Sequence, residues 1–351
     1  RQFARLSRLL SIDHEQLDGS EITMRALDVF FRTVAALGEY HPANKRRAAN
    51  TRLIAEDIAY LDTGNPAHTL DLHAPKDITG PLPVLLYMHG GGFRILSKNT
   101  HRSIARRFAE AGYLVVNINY RLTPAGQFPH ALQDACGALH WVLDHIEGYG
   151  GDPHRLVYAG ESAGGNLSLT LAMLGCFERP EPWAKKVFAA NPQVQAVLPA
   201  CGILEVHNAE RYLEDRTLPR WVRSRIKLVC DGYRGDAPQG ALASPLQLLE
   251  SDTPSDRPLP PIFSICGSGD YILEDTNRLG RALEARRNQG GIKIYPRGVH
   301  AFHVFIGKQA KRAWRGEAGG REARSRRVRW DRALSRPRPG LWAAQCATAA
   351  S

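Results

Sequence analysis

The chain has 351 residues, of which 43% are hydrophobic and 23% charged, the make-up of an ordinary globular protein. That length suits one large α/β domain or two smaller ones. No apolar run reaches the roughly 18–20 residues that a membrane-spanning helix needs. The formal net charge of +11 would suggest an anionic partner, but residues 307–351 hold 12 Lys or Arg against 3 Asp or Glu, leaving 34 against 32 elsewhere. The body is nearly neutral, so no nucleic-acid partner is expected from it.

The first 40 residues carry helical periodicity, with Leu27, Phe30, Phe31 and Val34 on one stripe. His41 to Asn50 is polar and basic and reads as a linker. The period then changes. Leu53–Leu61 and Thr69–His73 alternate like the strands of a hairpin around the turn residues Asp62-Thr63-Gly64-Asn65-Pro66. Buried-strand runs follow at Val84–Met88, Tyr113–Asn119, Leu156–Ala159, Val194–Leu198, Pro261–Cys266 and Ile292–Tyr295. Helical segments near Ser103–Ala111, Ala131–Ile146, Gly164–Leu174 and Asp275–Arg287 lie between them. This alternation predicts an α/β fold with a mostly parallel central sheet and helices on both faces. Residues 203–258 break the rhythm and read as an insertion, and 307–351 are Arg-rich and poor in aliphatic residues, a composition that predicts disorder beyond its start.

The six cysteines form no Cys-x-x-Cys pair and sit mostly in apolar surroundings, as small core residues do. A reducing, cytoplasmic compartment is expected. The chain opens on Arg1 rather than Met, so residues can precede it; no signal peptide is visible.

Chemistry concentrates at four places. Gly160-Glu161-Ser162-Ala163-Gly164-Gly165 follows a strand and opens a helix, the setting of a nucleophile elbow. Glycines stand two positions either side of Ser162 because so tight a turn has no room for larger side chains there. His89-Gly90-Gly91-Gly92-Phe93 follows the strand Val84–Met88, and its glycines leave backbone N–H groups able to converge on a developing oxyanion. A phosphate loop is the competing reading, but no Lys-Ser/Thr follows. His89 reads as a support of the loop rather than as the base.

These motifs resemble those of the hormone-sensitive-lipase-like family of α/β-hydrolase esterases. Tyr120-Arg121-Leu122-Thr123-Pro124, Phe128-Pro129-His130-Ala131-Leu132-Gln133-Asp134 and Gly151-Asp152-Pro153-His154-Arg155-Leu156 extend the likeness over roughly residues 50–306. The resemblance implies an oxyanion hole from Gly90, Gly91 and Ala163, with His89, Gly92, Gly160 and Gly164 as motif support. In this fold the triad runs Ser, acid, His along the chain. Asp270, where a strand ends, is the expected acid, with Asp275 as competitor, the latter also explained as the N-cap of the next helix. His300 in Gly298-Val299-His300-Ala301-Phe302-His303 is the expected base, with His303 as rival.

The expected domains are N-terminal cap helices and linker (1–50), the hydrolase body (51–306) with a cap insertion (203–258), and the Arg-rich tail (307–351). Phe30, Phe31, Trp183, Tyr212 and Trp221 are candidates to line a pocket. The expected activity is hydrolysis of short- to medium-chain carboxylic esters. A non-catalytic small-molecule binder, or an amidase or lactonase on the same triad, are the alternatives. No His spacing suits a metal and no dinucleotide fingerprint appears, so no cofactor is implied. The expected partner is a small-molecule ester, and a homodimer is compatible with the sequence. Ala125 departs from the acidic residue usual after Thr-Pro in such sequences, and the text after Ile306 departs from the apolar helix the family carries there.

Overall fold

A computed structural model describes residues 19–78, 80–305 and 308–314. Two helices, α1 (Gly19–Glu39) and α2 (Pro42–Asn50), precede strands β1 (Thr51–Ala59) and β2 (Thr69–Pro75). Next come β3 (Leu82–Met88), a 3₁₀ turn (Lys98–His101), α3 (Arg102–Glu110), β4 (Leu114–Ile118) and α4 (His130–His145). They lead to β5 (Gly151–Glu161), α5 (Ala163–Cys176), α6 (Pro182–Ala190) and β6 (Val194–Ala200). Three helices, α7 (Glu210–Glu214), α8 (Arg220–Arg234) and α9 (Pro245–Glu250), separate β6 from β7 (Phe263–Gly267). α10 (Leu273–Ala285), β8 (Gly291–Tyr295) and α11 (Lys308–Trp314) follow.

Six strands form one sheet in the order β1-β2-β4-β3-β5-β6. The β1–β2 and β2–β4 pairs are antiparallel, and β4–β3, β3–β5 and β5–β6 are parallel. β7 and β8 pair in parallel, and β7 runs beside β6 through a Val197–Ile262 bridge and a Cys201 N–H to Ile265 carbonyl bond of 2.8 Å. The runs of consecutive apolar residues have a simple cause. Along β3, Val84, Leu86 and Met88 join one core while Leu85 and Tyr87 join the other, so the strand is buried on both faces.

The structure corrects two expectations. Residues 42–50 form helix α2 rather than a linker, because Pro42 is preset for a first helical turn and the His41 ring accepts the Ala43 N–H at 3.1 Å. The α1 stripe does not bury as a unit: Leu27 and Phe31 are half-buried, but Phe30 is 57% and Val34 40% exposed. The Arg-rich segment begins as helix α11, with Ala310 and Ala313 buried, whereas residues 315–351, where disorder was expected, lie outside the described residues. Helix α6 was not anticipated; its Trp183 packs on the core rather than on a pocket. Among the described residues no helix is long and apolar enough to cross a membrane.

Candidate active site

The turn after β5 places Ser162 at φ 55° and ψ −114°, a backbone strained for any residue but glycine. The flanking glycines make that turn physically available. A Cβ on Gly160 would lie 2.4 Å from the Gly164 backbone, and one on Gly164 would lie 1.9 Å from the Met88 carbonyl. The Ser162 N–H donates to Ala200 at 3.0 Å, and its carbonyl accepts from Asn166 at 3.1 Å and Ile203 at 3.2 Å. The elbow is thereby riveted to the end of β6. Ala163 opens α5, where an N–H has no partner within the helix.

The acid and the base come from loops 30 residues apart, joined by a glycine seam. A Cβ on Gly267 would lie 2.0 Å from the Gly298 carbonyl, which also accepts the Gly269 N–H at 2.9 Å. This contact sets Asp270 against His300, whose Nδ1 is 2.9 Å from both carboxylate oxygens. The Ile272 N–H (3.0 Å) and the Cys266 thiol (3.3 Å) also donate to Asp270. Burial favours the neutral acid, but His300 and these donors outweigh it and hold Asp270 below the usual carboxylate range. Burial likewise opposes an imidazolium at His300, yet the Asp270 charge and hydrogen bond, helped by Glu161, raise its pKa above the ordinary value. With Nδ1–H on Asp270, Nε2 is the nitrogen left to accept a proton.

Among the described residues the Ser162 hydroxyl makes no hydrogen bond to His300. The two are neighbours through the end of β6. Ser162 is bonded to Ala200 and Ile203, and between these the Cys201 sulfur converges with Asp270 and His300 atoms to within 4.8 Å. That trio is the one group of three metal-capable donors among the described residues. Two of its members are bonded to each other, and burial drives the Cys201 thiol well above its usual pKa, which disfavours the thiolate a metal would need.

Both rivals have other duties. Asp270 takes His300, and buried His303 is pushed down to about 4 by burial, so it stays neutral. Its carbonyl accepts from Arg107 at 3.2 Å and from the Trp314 indole at 2.9 Å. Asp275 is not the N-cap of α10, which is Ile272. It lies wholly buried one turn in, accepting the N–H groups of Leu204 (2.7 Å) and Glu205 (3.0 Å), the Arg211 guanidinium (2.5 Å) and the Tyr212 hydroxyl (3.2 Å).

The glycine loop brings a further correction. The Gly90 N–H is not free to serve an oxyanion, because it donates to Glu161 Oε1 at 2.5 Å, a charge-assisted bond. Among the described residues, the amides of Gly91 and Gly92 donate to no backbone carbonyl. Gly91 (φ 119°) and Gly92 (φ 61°) both need left-handed backbone, and a Cβ on Gly92 would lie 2.8 Å from Val229 of α8. Tyr233 of the same helix stacks on Phe93 with centroids 3.6 Å apart. His89 is buried and stacked on Tyr120 (4.4 Å), and its Nδ1–H donates to the Gly90 carbonyl at 2.7 Å. Burial, reinforced by His101, pushes its pKa to about 3, which makes it a neutral support as expected.

Glu161 is the residue that sequence reasoning missed. It is fully buried, paired to His101 Nε2 at 2.7 Å and bonded to the Tyr87 hydroxyl. A signal existed: a carboxylate ending a strand of apolar residues needs a buried partner. Of the candidate pocket residues, Tyr212 lines a cavity of about 520 Å³ with Asp270, Tyr271, Arg211 and Leu218, but neither Ser162 nor His300 borders it. Trp221 is 63% exposed and meets Tyr271 edge-on at 6.3 Å.

Comparison with known proteins places this chain in a family. A sequence profile of the alpha/beta hydrolase fold matches residues 85–304. The chain is 31% identical over 255 residues to the probable carboxylic ester hydrolase LipM of Mycobacterium tuberculosis, covering 71% of this chain and 56% of that protein. It is 26% identical over 254 residues to an acetyl esterase of Salmonella schwarzengrund, covering 72% and 73% of the two chains. The chain spans about half the length of the first of these relatives. Among solved structures, esterase LipW of Mycobacterium marinum superposes with a TM-score of 0.69 at 22% identity, over 85% of this chain and 88% of that one, a likeness of fold. The chain belongs to the α/β-hydrolase fold family.

Proposed function

We propose that the protein is a serine carboxylic ester hydrolase working through an acyl-enzyme. The observation that carries this reading is the Asp270–His300 pair beside a strained serine elbow. His300 Nε2 takes the Ser162 hydroxyl proton as the oxygen attacks the acyl carbon. Asp270 holds the tautomer and stabilises the imidazolium. The tetrahedral oxyanion is met by the amides of Gly91, Gly92 and Ala163, Gly92 replacing Gly90 because Glu161 occupies the latter. Each such donor contributes about 2.7–4 kcal/mol to lowering the barrier. His300 then returns the proton to the departing alkoxide, and water repeats the steps on the acyl group.

The α7–α9 segment acts as a cap, since α8 rests on Gly92 and Phe93. Short acyl chains are favoured, in keeping with the acetyl esterase among the relatives. The test is a series of p-nitrophenyl esters of rising chain length, run beside Ser162→Ala and a fluorophosphonate probe. Hydrolysis that falls with chain length, is abolished by Ser162→Ala, and accompanies labelling at Ser162 is expected. Wild-type rates in Ser162→Ala would overturn the reading.

A further inference from the structure

A carboxylate buried at the end of a parallel strand is costly, and the elbow turn itself asks only for small residues around Ser162. Yet Glu161 stands there, adjoining the nucleophile, and its side chain leaves the elbow to reach the glycine loop. Oε1 accepts from the Gly90 N–H at 2.5 Å and from His101 Nε2 at 2.7 Å, while Oε2 takes the Tyr87 hydroxyl. The fit is close: a Cβ on Gly90 would lie 2.6 Å from Oε1 and 2.9 Å from the Glu161 carbonyl. On the other side the His89 ring is held between Tyr120 and His101, at 4.4 and 5.6 Å. The Tyr120 hydroxyl donates to the His89 carbonyl at 2.6 Å.

We propose that Glu161 is a positioning residue for the oxyanion loop, its carboxylate fixing the Gly90 peptide and so the direction of the Gly91 and Gly92 amides relative to Ser162. One residue thus couples the strand carrying the nucleophile to the loop carrying the donors. His101, from the turn before α3, and Tyr87, from β3, anchor it from two further elements. Burial opposes its charge, but His101 and Tyr87 outweigh that and hold it near pKa 2, so the anchor is an anion throughout the working range. The inference rests on the serine-esterase reading above.

Three variants test it. Glu161→Gln keeps an acceptor at Oε1 for Gly90 and His101 and can donate to the Tyr87 oxygen, so kcat should stay within about threefold. Glu161→Ala removes the anchor, and kcat should fall on the order of 100-fold, the effect of one misplaced oxyanion donor. KM should stay within about twofold, and affinity for a trifluoromethyl ketone, whose hemiketal carries an oxyanion, should fall in parallel with kcat. If the Ala variant does not fold, Glu161→Asp, one methylene short of Gly90, should give the same split in a protein with a cooperative unfolding transition. Ala or Asp variants that fold and keep both kcat and inhibitor affinity within about threefold overturn the proposal, as does a loss carried by KM alone. A wild-type protein that neither hydrolyses p-nitrophenyl esters nor labels at Ser162 fails the underlying reading instead, and the proposal falls with it.

Discussion

Replacing Trp314 with alanine should weaken both the fold and the catalytic loop. Its indole N–H donates to the His303 carbonyl at 2.9 Å, three residues past the base. Its ring meets Phe108 edge-on at 5.1 Å and lies under the Arg107 guanidinium, also at 5.1 Å. Truncating a fully buried tryptophan costs about 3–5 kcal/mol; Trp314 is half-buried, which leaves roughly half of that. The hydrogen bond adds about 1 kcal/mol and the edge-to-face contact about 0.5–1.5 kcal/mol. The sum, about 3–5 kcal/mol, is a large share of a typical 5–15 kcal/mol of domain stability. At about 2 °C per kcal/mol for a chain of this size, Tm should fall by roughly 6–10 °C in a thermal melt. Because the loop carrying His300 loses a tether, kcat should fall about tenfold, with KM little changed. Trp314→Phe keeps one aromatic ring but loses the N–H and the pyrrole half of the indole, so it should cost less than Trp314→Ala, about 1–3 kcal/mol. A Trp314→Ala protein melting within about a degree of wild type would refute the idea that the Arg-rich segment begins inside the fold.

The pH profile follows from His300, which acts as a base only when neutral. Because Asp270 and Glu161 raise its pKa above the ordinary value of about 6.5, kcat/KM should fall as pH drops through a point above that value. A limb at or below about pH 6 in an initial-rate profile would contradict the pairing. Asp275→Asn removes the charge facing Arg211 and two backbone amides in a fully buried site. It should lower stability by about 3–5 kcal/mol in urea unfolding, while a cost within about 0.5 kcal/mol would deny it the role of a structural anchor.

Much of the sheet was legible because its strands are buried on both faces. Val84–Met88 and Leu156–Ala159 are unbroken apolar runs in the sequence and double-sided core in the fold. The elbow was legible for a steric reason, since Gly160 and Gly164 stand where a Cβ would strike backbone. Helix α2 was not, because its sequence Pro-Ala-Asn-Lys-Arg-Arg-Ala-Ala-Asn has no apolar stripe. What it has instead is a proline at the first turn and a histidine cap, and these outweigh the composition. The α1 stripe erred the other way. Its period is helical, but period alone does not say whether a neighbour covers the face.

The assignment of roles inside the site divides along the same line. Ser162, Asp270 and His300 could be proposed from order and local setting, since each follows the end of a strand, and the structure pairs the last two. The glycine loop could not be resolved to individual amides from sequence. Gly90, Gly91 and Gly92 are chemically alike along the chain, and they become different only when Glu161, 71 residues later, takes the first of them. The same limit applied to Asp275: five residues beyond Asp270 it looks like a helix cap, and only the return of the Leu204–Tyr212 segment makes it a buried acceptor. A buried acid announces that a partner exists without saying which. His101 for Glu161 and Arg211 for Asp275 lie about 60 residues away along the chain, and the fold, not the local sequence, makes the match.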